Sequence, residues 1–424
     1  MPITLNSLII EPLSQHKKIF TNYYWRFLQI FGKQGISLII FFLIAKNLSG
    51  EEFGLYNYFL NLLFFLIIFS DFGISLAISK FVSQFRFQNR EKIKLIFFNG
   101  FLIIMGMGTL VSGAFFVFFH NFLINHALEI WFLWPLIFLI PLTSLYDGIF
   151  RGLEKFKELA LISLNCGIFT LILSFFLILN FQFRGAIFTQ LLFYLILFFQ
   201  LHSGYSQTWI FKIDQKIIKQ ICYYAILIGL ASLGYYLYSR FDILILGHFG
   251  YFNQLNYFQI IHKVTLLLAT FFAIFGQVIA PIITNLTTKH KYEEILFLFN
   301  KLIKISLLIS CFISFILYFF LPLIIKLFLP HLYSEQFLLI FKILILIIPL
   351  NLIAELISQG FIIASHNAYL GLLTLPFGLL NIILSFIFIQ KFGFLGIAYS
   401  NVIVSLFSKT LTWSLLIRKF KKLS

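Results

Sequence analysis

Two stretches of the chain repeat each other, and this repeat decides the fold. Residues 167–190 read GIFTLILSFFLILNFQFRGAIFTQ, and residues 378–401 read GLLNIILSFIFIQKFGFLGIAYSN. The two align without a gap, and nine of the 24 positions are identical, including an Ile-Leu-Ser-Phe run and a Phe-x-Phe-x-Gly motif. Chance in sequence this apolar gives roughly two or three identities. The chain therefore contains two related halves.

The rest of the chain is as apolar as the repeats. Of its 424 residues, 61% are hydrophobic and 11% are charged, against about 45–50% and 25% in soluble globular proteins. This composition excludes an ordinary soluble enzyme. The net charge of +16 would suggest a nucleic-acid partner in a soluble chain. In a membrane protein the positive-inside rule explains such a charge first, and no nucleic-acid partner is predicted.

Apolar runs of 18 or more residues predict an all-α integral membrane protein with twelve transmembrane helices. In order, these runs lie at 25–45, 54–79, 94–119, 130–150, 159–180, 185–204, 220–246, 255–282, 295–321, 337–364, 368–389 and 394–417. The links between them are short, so no folded domain is expected outside the membrane.

The repeats pair helices of the two halves. The long repeat pairs helix 5 with 11 and helix 6 with 12, and a short match of Asn57-Tyr58-Phe59 with Asn256-Tyr257-Phe258 pairs helix 2 with 8. This pattern predicts two six-helix bundles of one topology that meet around a central pathway. The N-terminal bundle takes residues 1–204, a linker takes 205–219, and the C-terminal bundle takes 220–424.

Basic residues predict how the chain is oriented. If the N-terminus is cytoplasmic, the links on that side hold twenty Lys and Arg, and the opposite links hold four. Both termini and the linker are therefore predicted to be cytoplasmic. Four lysines that lie within spans but near helix ends are predicted to extend to the lipid headgroups. They are Lys301, Lys304, Lys342 and Lys409.

Polar side chains form stripes along helices 1, 2 and 8. On helix 1 the spacing of four, three, four and four residues from Asn22 to Ser37 places them on one face. Lipid does not tolerate such faces, so the stripes predict a hydrated cavity between the halves. Its predicted polar lining is Asn22, Gln29, Asn57, Asn61, Asn256 and Gln259. Shorter stripes on helices 10 and 12 fit hydrogen bonds between helices equally well.

Four cations are candidates for substrate binding: Arg26, Lys33, Arg240 and Lys263. Both lysines lie about 12 Å inside their spans. Burying a charge there costs at least about 2.5 kcal/mol on insertion scales, so water, a counter-ion or a ligand is expected beside it. A cationic cavity suits an anionic substrate, and the Arg fork suits phosphate in particular.

Three acidic residues within the spans, Asp71, Asp242 and Glu355, are candidates for ion coupling. Each could instead neutralise a buried cation. Asp242 lies two residues from Arg240 and faces nearly the opposite side of the helix, so the two are expected to serve different neighbours. Catalytic residues, metal ligands and cofactors are not predicted, and H⁺ and Na⁺ are the candidate coupling ions.

Several motifs together resemble the polysaccharide transporter family, the Wzx-type flippases of the MOP superfamily. They are AKNLSGEEFGLY at 45–56, SDFGI at 70–74, FRGLEK at 150–155, RFDILILG at 240–247, Ala-Pro at 280–281 and GFLGIA at 393–398. The resemblance spans nearly the whole chain, and the order and spacing of the motifs carry it.

The resemblance implies a MATE-like fold with a V-shaped central cavity, in the bacterial cytoplasmic membrane. It implies a flippase that moves an undecaprenyl-diphosphate-linked oligosaccharide of O-antigen, capsule or exopolysaccharide to the periplasmic leaflet by alternating access. The diphosphate-sugar head would contact the four cations. The implied partners are this lipid-linked oligosaccharide, membrane lipids, and a glycan polymerase with its chain-length proteins.

Three alternatives stay open. A multidrug exporter of the same superfamily would carry organic cations, which a cationic cavity repels. A membrane-embedded glycan polymerase or glycosyltransferase would be expected to carry a sizeable loop with acid and base groups, and the short links oppose this. A lipid II flippase would be expected to add two further spans.

Overall fold

The computed structural model describes residues 13–86, 90–126, 128–205, 210–365 and 368–423. Helices account for almost all of them. They are α1 (Leu13–Asn47), α2 (Gly50–Asp71), α3 (Ile74–Phe85), α4 (Arg90–His126), α5 (Leu136–Gly152), α6 (Phe156–Gly204), α7 (Gln215–Ser239), α8 (Phe241–His248), α9 (Phe252–Thr288), α10 (Tyr292–Phe328), α11 (Glu335–Leu344), α12 (Ile348–Ile357), α13 (Thr374–Phe392) and α14 (Leu395–Leu423). Short 3₁₀ turns lie at Leu128–Leu133, Pro330–Leu332, Ile345–Ile347 and Ala368–Leu373, and a π-helical turn lies at Ser358–Ile362.

Within the described ranges, eleven helical segments are long and apolar enough to cross a membrane. The prediction of an all-helical, multi-pass membrane protein is confirmed. The count differs from the predicted twelve because the spans predicted at 159–180 and 185–204 form one segment, α6, of 49 residues.

The backbone of α6 reverses within that segment. Gln182 has φ 44° and ψ −114°, outside the helical region. A Cβ built on Gly185 would lie 2.1 Å from the carbonyl oxygen of Leu177, whereas residues eight apart in a straight helix are about 12 Å apart. Farther from the turn, the Sγ of Cys166 lies 3.4 Å from the carbonyl oxygen of Phe193. The segment is therefore a hairpin of two helical arms.

The second copy of the repeat makes the same turn between α13 and α14. Gly393, which aligns with Gln182, has φ 59° and ψ −148°. A Cβ built on Gly396, which aligns with Gly185, would lie 2.3 Å from the carbonyl oxygen of Phe388. The repeat seen in the sequence is thus reproduced in backbone geometry.

The prediction of one continuous helix over 54–79 is wrong. The chain breaks between α2 and α3, where Phe72 has φ 35° and Gly73 has φ 81°. A Cβ built on Gly73 would lie 2.8 Å from the carbonyl oxygen of Ala225 on α7, and one on Gly229 would lie 2.5 Å from the Phe72 ring. The break therefore allows α2 and α3 to approach α7 closely.

Two further predicted helices are also interrupted. The span predicted at 220–246 breaks at Arg240, whose φ of −138° ends α7 before α8 begins. The span predicted at 337–364 divides into α11, a 3₁₀ turn, α12 and a π-helical turn. Pro349 stands at the start of α12, where its missing N–H and its ring prevent a continuous helix.

The halves of the chain meet where the short repeat lies. A Cβ built on Gly54 of α2 would lie 2.2 Å from the carbonyl oxygen of Phe252 at the start of α9. The amide of Asn57 donates to that of Asn256 over 3.4 Å, and Asn256 donates to the carbonyl of Gly50 over 2.6 Å. The matching Asn-Tyr-Phe motifs therefore face each other across the contact. This contact lies at the end of the molecule predicted to be periplasmic.

A second contact attaches the start of α7 to the first half. The side chain of Asn99 on α4 donates to the carbonyl of Lys212 over 3.1 Å and accepts from the backbone N–H of Asp214 over 3.0 Å. Asp214 in turn caps α7, since its carboxylate accepts from the N–H groups of Lys216 and Ile217.

Candidate functional site

A cavity of about 940 Å³ lies between the halves, lined by α1, α2, α5 and α6 from the first and by α7, α9 and α12 from the second. All four cations predicted for substrate binding line it, namely Arg26, Lys33, Arg240 and Lys263. The helices therefore bring to one space residues that lie more than 200 positions apart in the sequence.

Four of the predicted polar residues line the same cavity: Gln29, Asn57, Asn61 and Gln259. Asn256 differs from the prediction, because it is fully buried and its amide joins α9 to Asn57 and Gly50. It connects the halves beyond the end of the cavity. The side chain of Asn22 lies outside the described residues.

An ion-pair network covers the α1 and α5 side of the cavity. Asp147 on α5 accepts from Gln29 over 2.8 Å and pairs with Arg151 over 2.7 Å. Arg26 donates to Gln29, and its guanidinium lies 4.0 Å from Asp147. One carboxylate is thus shared between two arginines, and Lys33 lines the same wall.

Asp147 was not among the predicted site residues, and Arg151, between the spans predicted at 130–150 and 159–180, was counted with the basic residues of the cytoplasmic links. A usable signal was present, since Asp147 and Arg151 have the four-residue spacing that pairs side chains on one helix face. Asp147 also fell inside the span predicted at 130–150, where a carboxylate requires a partner.

The opposite wall carries cations that have no carboxylate partner. Lys263 on α9 donates to the Ser37 hydroxyl over 3.3 Å, and its ammonium lies 5.5 Å from the Phe41 ring centroid. Among the described residues, neither Lys263 nor Arg240 forms an ion pair within 4.0 Å, and on the first wall the same holds for Lys33.

Asp242 is directed away from Arg240, as their two-residue spacing predicts. Its carboxylate is 2% exposed and bonds to His262 over 2.8 Å and to Asn401 over 3.0 Å. Asp71 also lies off the cavity, where it accepts from the N–H and the hydroxyl of Ser75 and so caps the start of α3. Of the three carboxylates predicted for ion coupling, Glu355 is the one that lines the cavity.

The prediction that Lys409 extends to the headgroups is wrong. Its side chain is 8% exposed and donates to the amide oxygen of Asn351. The polar face of α14 points into the second half of the chain, so Lys409 faces a smaller cavity of about 220 Å³. Lys301, Lys304 and Lys342 are exposed.

The charge of the central cavity is strongly positive. Its walls carry five basic residues (Arg26, Lys33, Arg151, Arg240 and Lys263) and two acidic ones (Asp147 and Glu355), which leaves a formal charge of +3. Walls of low dielectric concentrate such a field and attract anions. The described residues contain no group of three or more His, Cys, Asp or Glu that could hold a metal ion.

Comparisons with known proteins agree with this architecture. Residues 19–287, well over half of the chain, match the polysaccharide biosynthesis protein family. No curated protein matches the sequence closely enough to count as a relative.

Solved structures share the fold. The inward-facing conformation of a multidrug resistance MATE family transporter of the MOP superfamily superposes with a TM-score of 0.76 at 16% identity, over 92% of this chain and 96% of that one. The outward-facing conformation of such a MATE transporter gives a TM-score of 0.71 at 16% identity, with 96% of each chain covered. The lipid II flippase MurJ, in an inward closed conformation, gives 0.73 at 19% identity, over 95% of this chain and 90% of that one. At such identities these likenesses establish the fold alone.

The motifs predicted this family, and the helices form a polar, positively charged cavity of the kind a transporter needs. The chain belongs to the polysaccharide biosynthesis protein family, and it is an all-helical, multi-pass membrane protein with the fold of MOP-superfamily transporters.

Proposed function

We propose that this protein is a transporter, namely a flippase that carries a polyprenyl-diphosphate-linked oligosaccharide across the bacterial cytoplasmic membrane, toward the periplasmic leaflet. The observation that supports this proposal is the composition of the central cavity, whose lining has five basic residues from both halves and two acidic ones. A diphosphate is the part of such a lipid that a cationic wall recognises. The same excess of positive charge opposes the export of organic cations.

The four predicted cations would bind the diphosphate from two sides. Arg26 and Lys33 lie on α1, while Arg240 and Lys263 come from the second half of the chain. The Arg fork can donate two parallel hydrogen bonds to phosphate oxygens, and the lysines act as point charges. A bound diphosphate would supply the counter-charge that Lys33, Arg240 and Lys263 lack.

The proposal includes twelve crossings in two bundles of six, with both termini cytoplasmic. The reversal at Gln182 supports the count of twelve, because each arm of α6 would then be a separate crossing. Each arm has about 20 to 25 residues, the length that a bilayer requires. The excess of basic residues on the predicted cytoplasmic links supports the orientation.

Alternating access would use the contact between Gly54 and Phe252 as the periplasmic closure. A side chain at Gly54 would meet the Phe252 backbone, so Gly54→Leu should prevent this closure and abolish export. Gly106→Leu is the matched control, because a Cβ at Gly106 meets nothing within 4 Å. Surface glycan should disappear in the first variant and persist in the second. Normal export by Gly54→Leu would contradict the closure.

The substrate assignment is tested by removing two charges from α1. We expect the double variant Arg26→Gln, Lys33→Gln to abolish surface-glycan assembly while the protein still inserts in the membrane. The control is Lys301→Gln, Lys304→Gln, which removes the same charge from exposed positions on α10. Unchanged glycan export in the α1 variant would refute the assignment.

Glu355 is proposed to couple transport to H⁺ or Na⁺. It lines both cavities, and a carboxylate there can bind an ion on one side of the cycle and release it on the other. Flux into proteoliposomes should depend on an ion gradient in the parent and lose that dependence in Glu355→Gln. Glu293→Gln, at an exposed position of α10, is the control. An unaltered gradient dependence in Glu355→Gln would rule out this role.

A further inference from the structure

The second cavity, of about 220 Å³, lies inside the second half of the chain among α7, α9, α12 and α14. It adjoins the central cavity, since Arg240 and Glu355 line both. A ligand that binds Arg240 from the central cavity can therefore extend its adjoining part into the second cavity. The polar stripes predicted on helices 10 and 12, which correspond to α12 and α14, line this space. No function was predicted for them.

The lining of the second cavity suits a sugar ring. Tyr235, Tyr238 and Trp413 offer aromatic surface, and sugar rings present apolar C–H faces to such surfaces. Hydroxyl and amide groups that can bond the ring's hydroxyls come from Asn351, Ser405, Ser408 and Thr412. Its volume of about 220 Å³ is comparable with the size of one sugar ring.

Lys409 places a buried positive charge in the lining of this cavity. Its ammonium donates to Asn351 and lies 5.9 Å from the Tyr238 ring centroid. Among the described residues, no carboxylate lies within 4.0 Å of it. Asp242 is bonded to His262, so the charges that face the cavity freely are Arg240, Lys409 and Glu355. With Arg240 bound to the diphosphate, Lys409 is the cation left for a ligand inside the cavity, and Glu355 is a hydrogen-bond acceptor in the same lining.

We propose that this cavity is the subsite for the sugar attached to the diphosphate, and that this sugar carries a carboxylate, as a uronic acid does. Lys409 holds the carboxylate, and Glu355 accepts hydrogen bonds from ring hydroxyls. The inference rests on the proposed function for the linkage, because a diphosphate at Arg240 places the attached ring at the cavity mouth. The carboxylate preference itself rests on Lys409 and its surroundings.

The experiment compares two probes that differ in one group, glucuronic acid 1-phosphate and glucose 1-phosphate. Binding to the purified protein is followed by tryptophan fluorescence, with Trp413→Phe identifying the signal from the cavity. We expect the acidic probe to bind about tenfold more tightly, the gain of one charge-assisted contact. Lys409→Gln should remove this preference, and Lys409→Arg should retain it. The exposed Lys304→Gln should leave it unchanged.

Equal binding of the two probes, absence of binding by the acidic probe, or an unchanged preference in Lys409→Gln would each overturn the inference. Retention of the preference in Lys409→Arg separates loss of charge from misfolding. Farnesyl diphosphate binding, measured in parallel on the Arg26→Gln, Lys33→Gln variant, tests the proposed function separately. If that binding is unaffected while the sugar preference depends on Lys409, the flippase assignment fails and the acidic-sugar subsite stands.

Discussion

The two walls of the central cavity carry similar cations but neutralise them differently. On the first wall, Asp147 holds Arg26 and Arg151 through hydrogen bonds and ion pairs. On the second wall, Arg240 and Lys263 have no ion pair in the described part of the chain, and the nearby Asp242 is committed to His262 and Asn401. The first wall is therefore ordered in advance, while the second depends on water or ligand for counter-charge. An anion bound between them would bring the walls together.

The largest expected effect is a difference in stability between variants of the buried Asp242 and the half-buried Asp71. Asp242→Asn should lower the free energy of unfolding by about 1–3 kcal/mol, because His262, Asn401 and the Ile243 N–H all donate to this carboxylate and lose acceptor capacity. The thermal unfolding temperature in detergent measures this. Asp71→Asn, at a half-buried cap, serves as the comparison. An unchanged unfolding temperature for Asp242→Asn would mean that the bonds of Asp242 to His262 and Asn401 do not stabilise the fold.

The next effect concerns the first wall. Asp147→Asn frees Arg26 and Arg151 from their shared carboxylate, so the affinity for farnesyl diphosphate should rise about tenfold, equivalent to about 1.4 kcal/mol. Release should slow correspondingly, and turnover in proteoliposomes should fall. Weaker binding in Asp147→Asn would show instead that the carboxylate positions the arginines for the ligand.

A smaller effect is expected from the second wall. Lys263→Gln removes a charge that has no carboxylate partner, so the unfolding temperature should hold or rise slightly, since a buried charge is relieved. Affinity for farnesyl diphosphate should fall about fivefold, the loss of one ionic contact. A marked loss of stability would reveal that Lys263 is already neutralised, and the contrast between the walls would disappear.

The smallest effect tests the turns that the repeats share. Gln182 has a positive φ, and the aligned position in the second repeat, which also has a positive φ, is Gly393. Gln182→Gly should stabilise the protein by up to about 1 kcal/mol, because relief of a strained backbone exceeds the entropy cost of glycine. Gly393→Gln is the reciprocal variant and should destabilise it. Equal unfolding temperatures for parent and Gln182→Gly would indicate that the turn is unstrained.

Much of the fold could be predicted from the sequence, because hydrophobic length and an internal repeat are both local signals. The breaks at Phe72 and Arg240 were not predicted, since no proline marks either one and the charged residues there, Asp71, Arg240 and Asp242, were interpreted as candidates for ion coupling or substrate binding. At Phe72 the break depends on the approach of α7 to Gly73. Such contacts between distant segments leave no period in the sequence.

The site was predictable wherever burial of charge was itself the signal. Lys33 and Lys263 stood deep in predicted spans, and both line the central cavity. Asp147 was missed because it lies three residues from the end of the span predicted at 130–150, where a charge is ordinarily exposed. Lys409 lies eight residues inside the span predicted at 394–417, as deep as Lys33 and Lys263, so its depth already indicated burial. Their partners depend on which helix face points inward, and that is decided by packing of helices within each bundle.

The bonds of Asn99 to residues 212 and 214 have a mechanical consequence. They fasten the first turn of α7 to α4, so this part of the second half travels with the first. The later turns of α7 pack on α13 of the second half, where a Cβ built on Gly234 would lie 2.5 Å from the backbone nitrogen of Leu375. Motion between the halves is therefore expected to bend α7 between these two attachments. Spin labels at the exposed Glu91 of α4 and Lys216 of α7 should keep one separation throughout a transport cycle, whereas labels at Glu91 and the exposed Lys301 of α10 should report the motion between the halves.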